Sequence, residues 1–152
     1  MRKIREILVV AAAVTAAGLA STAVASADDG HVYAKATSVA GTESGGSAHA
    51  DLHFTGRQTL TYNNFVVNDT CPGDNYDVHG RAIAIYMDGT SGYGTWHRDD
   101  EPTCDGAGWG PVSGLGFNGS KNIKKAGVEV CVMRPNATDI CKTDFRLNPY
   151  TS

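Results

Sequence analysis

From residue 28 onward no stretch of this chain sustains the 3.6-residue period of an amphipathic helix, whereas period-two alternation recurs between glycines. Ala48, Ala50, Leu52 and Phe54 alternate with His49, Asp51, His53 and Thr55, the pattern of a half-buried strand. Val78 to Met87 is the strongest strand, with Ile83, Ile85 and Met87 on one face and Ala82, Ala84 and Tyr86 on the other. Val32–Val39, Leu60–Val67, Tyr93–Arg98, Leu115–Phe117, Val128–Arg134 and Asp139–Arg146 read as further strands. Asn63-Asn64 is expected to kink or bulge its strand, and Asn122 to Ala126 to form no more than a helical turn. Seventeen of the 18 glycines lie beyond residue 27, so turns are many and elements short. The expectation is an all-β fold, a small β-sandwich (Ig-like or jelly-roll-like) of about seven or eight short strands.

The first 27 residues have a different character. Arg2, Lys3 and Arg5 precede an apolar run, Ile7 to Ala20, and Ala25-Ser26-Ala27 supplies small residues at a cleavage site. That run falls short of the ~20 apolar residues a membrane span needs. Residues 1–27 therefore read as a signal peptide, residues 28–152 as a single secreted, extracellular domain, and no integral membrane span is expected. The leader takes with it three of the 13 basic residues and one of the 16 acidic ones, leaving a net charge of −5. An acidic domain with thinly spread lysines excludes nucleic acid as a partner and argues against anionic lipid.

Four cysteines in such a chain imply two disulfides. A hairpin centred on Asn136 sets position 131 opposite position 141, each five residues from the centre. Opposed residues bring their Cβ atoms within about 4.5–5.5 Å, which favours Cys131–Cys141 and leaves Cys71–Cys104. No Cys-x-x-Cys spacing offers zinc a structural site.

Three groups of side chains could carry function. His49, Asp51 and His53 share one face of a strand and would hold zinc or copper if a neighbouring strand added a ligand; the alternative is a solvated outer face. Asp69, Asp74 and Asp77 in one loop, and Asp99 and Asp100 in another, are oxygen donors of the kind calcium takes, and Asp is equally a turn former. No other cofactor is implied. Tyr76, Tyr93, Trp96 and Trp109 fall in or beside those loops and could anchor an extracellular protein or polysaccharide. The competing reading, which bulky rings favour, puts Trp96 in the core and lays Trp109 over the Cys71–Cys104 bond. No catalytic residue can be nominated: Gly-x-Ser-x-Gly and Gly-x-x-x-x-Gly-Lys are absent, and no free thiol is expected.

The Ala/Val-rich leader ending in Ala25-Ser26-Ala27, the loop Asp69-Thr70-Cys71-Pro72-Gly73-Asp74, and Cys141 followed by Asn148-Pro149-Tyr150 resemble those of small exported actinobacterial β-proteins without assigned activity. That resemblance brings no functional residue with it. The cysteine spacing departs from that of two-disulfide subtilisin inhibitors and of neocarzinostatin-like apoproteins. The expectation is a non-enzymatic, monomeric binding or interaction module. The alternatives are a secreted hydrolase or protease inhibitor working through residues 99–111 and a metal-binding domain.

Overall fold

The structure, a computed structural model, describes residues 30–38, 45–70, 76–99 and 108–151. The leader, Cys71, Cys104, Asp74 and Asp100 lie outside them, and so does the Cys71–Cys104 pairing. Ten strands are present: β1 (Gly30–Thr37), β2 (Gly45–Phe54), β3 (Thr59–Asp69), β4 (Asp77–Tyr86), β5 (Ser91–Tyr93), β6 (His97–Arg98), β7 (Trp109–Val112), β8 (Leu115–Asn118), β9 (Ile123–Met133) and β10 (Ile140–Leu147). A 3-10 turn at Pro149–Thr151 follows, and the described residues contain no α-helix.

Two expectations need correction. The strand count exceeds seven or eight because Tyr93–Arg98 is interrupted at Gly94-Thr95-Trp96, and because Trp109–Val112, which lies outside every expected strand, pairs with β3. Residues 122–126 form no helical turn; from Ile123 onward they are the start of β9. There Ile123 pairs with Tyr86 across a register shift, and Ile123 and Ala126 both reach the core. The shift breaks the alternation that would have marked a strand.

Every strand pair is antiparallel, and the two sheets share one plan. In the first, β1-β2-β3 is continued by β8 along the first half of β3 and by β7 along its second half. In the second, β10-β9-β4 is continued by β6 along the first half of β4 and by β5 along its later half. Each sheet thus has three long strands and an outer fourth broken in two.

The alternating pattern decides which faces meet. Ala48, Ala50, Leu52 and Phe54 are buried as their spacing predicts, against Val78, Ala82 and Ala84 of β4 and Val128, Val130 and Val132 of β9. Small residues let the sheets approach closely: a Cβ on Gly80 would lie 2.6 Å from Val67 Cγ2, so that position accepts no side chain. The expected bulge is there, with Asn64 at φ +50° and the β2–β3 register shifting between His49 and Asp51. Asn tolerates that left-handed conformation better than most residues. Tyr62 crosses the core, its hydroxyl 3.0 Å from Ile83 O and 3.1 Å from Gly127 O of the opposite sheet.

The two long sides of the sandwich differ. On one, the β1 edge is covered from β10: Tyr33 N–H donates to Asp144 Oδ2 (2.9 Å), and Arg146 Nε and Nη2 donate to His31 O (3.1 Å each). On the other, the two broken outer strands face each other. At the far end of the second sheet, Cys131 and Cys141 stand in register and are disulfide-bonded, with Cα atoms 4.1 Å apart.

Candidate functional site

β4 sends His79, Arg81 and Ile83 to the outer face of the second sheet, and Arg81 stands opposite Glu129 in the ladder. Glu129 Oε2 accepts from Arg81 Nε at 2.6 Å. The guanidinium carbon lies 3.8 Å from the Tyr93 ring centre and 4.1 Å from that of Trp96. One cation thus stacks against two rings, an attraction that strengthens as water is excluded. The rings stay accessible: Tyr93 is 51% exposed and Trp96 38%. His79 meets Trp96 edge-on at 6.3 Å. Trp96 is therefore not a core residue. It occupies the break between β5 and β6, where strand alternation no longer dictates direction, and Arg81 holds it against the sheet.

Trp109 and Tyr76 have other surroundings. Trp109, on β7 of the first sheet, stacks on His97 of the second (3.8 Å, 18°) and meets Phe65 edge-on at 6.1 Å. Both are partly buried and pack against the core. The four ring candidates therefore divide, with Tyr93 and Trp96 on an outer face and Tyr76 and Trp109 against the interior.

Between the broken outer strands lies a cleft of 210 Å³. Its floor is Ala82; Gly94, Thr95 and His97 form one wall, and Leu115, Gly116 and Phe117 of β8 the other. Burial lowers the His97 pKa from the usual histidine value. Sequence reading passed over His97, because only the pairing of its strand with β4 turns it toward the opposite sheet.

On the outer face of the first sheet, His49, Asp51 and His53 do lie along one strand. Asp51 is engaged by residues not foreseen. Its Oδ1 accepts from His31 Nδ1 at 3.0 Å across the β1–β2 ladder, and its Oδ2 from Asn64 Nδ2 at 2.7 Å. These bonds, Asn64's first and then His31's, hold the Asp51 carboxyl below its usual pKa. His49 stands 5.5 Å from the His31 ring and 6.5 Å from that of Tyr33. Burial chiefly, and then the charge of His31, lower the His49 pKa against the opposing pull of Asp51. The β1–β2 pairing was the signal that would have found His31.

Of the acidic candidates, Asp69 and Asp99 are buried, and Asp99 Oδ2 accepts the Asp69 N–H at 2.7 Å, so the flanks of the two loops do meet. Asp77 is exposed and pairs with Arg98 at 3.0 Å. Among the described residues, the one group of three His, Cys, Asp or Glu ligand atoms within 4.8 Å of one another is Glu129, Cys131 and Cys141. Its two sulfurs are spent on the disulfide and offer no thiolate. No protein family model, curated protein or solved structure matches the chain.

Proposed function

We propose that this chain is an exported, non-enzymatic binding module that engages an extracellular protein partner through the outer face of its second sheet. The observation that carries the reading is the Tyr93–Arg81–Trp96 stack: two exposed rings fixed by a guanidinium that Glu129 holds in turn. Tyr, Trp and Arg are the residue types that dominate protein interfaces energetically. Rings immobilised before contact avoid much of the ~0.5–1.5 kcal/mol ordering cost of each flexible side chain.

The leader-like first 27 residues support export, and the Cys131–Cys141 bond fits an oxidising compartment. No helix among the described residues is long and apolar enough to cross a membrane.

The test is capture of secreted proteins from the producing culture by immobilised protein, comparing the native chain with Tyr93→Ala/Trp96→Ala. Truncation of both rings is expected to weaken retention of a specific protein at least ~30-fold, since anchor residues each contribute ~1 kcal/mol or more, with an unchanged circular dichroism spectrum. Equal retention by both forms, or retention of polysaccharide alone, overturns the reading.

A further inference from the structure

The cleft between the broken outer strands stays open because of what its residues lack. Gly94 has no side chain and Ala82 has a single methyl, so two positions that could fill the space leave it free. A Cβ on Gly94 would already sit 3.3 Å from Ala82 Cβ. Its volume of 210 Å³ is several times the ~30 Å³ share of a water molecule, and an apolar cavity of about 150 Å³ suffices for benzene. Leu115 and Phe117 supply apolar walls, and the Phe117 ring is itself braced edge-on by Tyr62 at 6.1 Å.

Two side chains in this lining are polar, the exposed Thr95 and the partly buried His97, and His97 is the one held in place by ring contacts. His97 is fixed by its stack on Trp109 and its edge contact with Phe65 at 5.8 Å. Among the described residues, none forms a hydrogen bond with its ring nitrogens. A concave apolar site with one fixed polar group at its wall is the usual form of a small-molecule site.

We propose that this inter-sheet cleft binds a neutral, single-ring aromatic molecule bearing a hydroxyl, which donates its O–H to an imidazole nitrogen of His97. The partly buried imidazole favours its uncharged form, and an uncharged ring accepts a hydroxyl proton while offering no counter-charge to an anion. Neither Tyr93 nor Trp96 lines the cleft, so truncating those rings and exchanging His97 test the two readings separately.

Phenol and fluorobenzene, alike in size but only one of them an O–H donor, are suitable probes in titrations of the protein followed by two-dimensional NMR. Phenol at millimolar concentration is expected to shift the resonances of Ala82, His97, Leu115 and Phe117, and to bind at least about tenfold more tightly than fluorobenzene. His97→Phe keeps the ring stack but removes the acceptor, and should erase the difference between the two probes. Gly94→Val should abolish binding of both by filling the cleft. Should either variant fail to fold, the native protein still decides: no shifts at the cleft, shifts only elsewhere, or equal affinity for the two probes would overturn the proposal.

Discussion

Tyr62 shows how much one side chain can contribute to a small sandwich. Its hydroxyl is fully enclosed, and burial raises its pKa well beyond the usual phenol range, so it remains a donor at any physiological pH. The acceptors, Ile83 O and Gly127 O, are neighbours in the opposite ladder, so one proton ties β3 to both β4 and β9. Tyr62→Phe preserves the ring contacts with Phe65 and Phe117 and removes only that tie. It should cost about 1–2 kcal/mol, read as a lower urea midpoint with unchanged slope. Tyr62 was visible in the sequence as an apolar strand position. Its cross-sheet role was not, because its partners are backbone carbonyls and carry no residue signature. The same holds for His31 and Asn64 around Asp51, which become neighbours only once β1, β2 and β3 are aligned.

The β9–β10 hairpin was the most legible element, because the turn centre alone fixed the register that brings Cys131 to Cys141. The bond closes a loop with a sequence separation of 10, for which chain entropy gives about 2–3 kcal/mol. Cys131→Ser/Cys141→Ser should lower stability by roughly that amount in equilibrium denaturation; no change would mean that the hairpin stays closed in the unfolded chain. The outer strands were less legible. Gly94-Thr95-Trp96 has strand-like composition on both sides; Gly94 N–H still reaches Ala82 O of β4 at 2.9 Å, and the ladder lapses at Thr95 and Trp96, which separates β5 from β6. At the start of β9, Lys124 and Lys125 are consecutive outward-lying residues beside a register shift, and such a pair hides a strand from any period-two reading.

At the scale of the molecule, acid titration draws on both sheets. His49 on the first and His97 on the second have pKa values lowered by burial from the ordinary 6.5. Between that value and their folded values the unfolded chain binds more protons, so stability is complete above about pH 6.5 and falls as pH drops through the folded pKa values. Urea midpoints measured from about pH 7.5 down to about pH 5 should therefore decline, and decline less in His97→Phe; equal slopes in the two proteins would contradict this assignment. Below that range Asp51 adds a loss of its own, since its lowered carboxyl pKa stabilises the fold only while ionised. The division of each outer strand into short pieces has a consequence for crowded solutions. A foreign strand seeking to lengthen either sheet on that flank finds footholds of two to four residues, and at the β1 edge it meets Tyr33 N–H and His31 O already bonded to Asp144 and Arg146. Templated growth into fibres needs a longer row of vacant amides and carbonyls, so the flank of broken strands resists stacking with further copies even at high concentration.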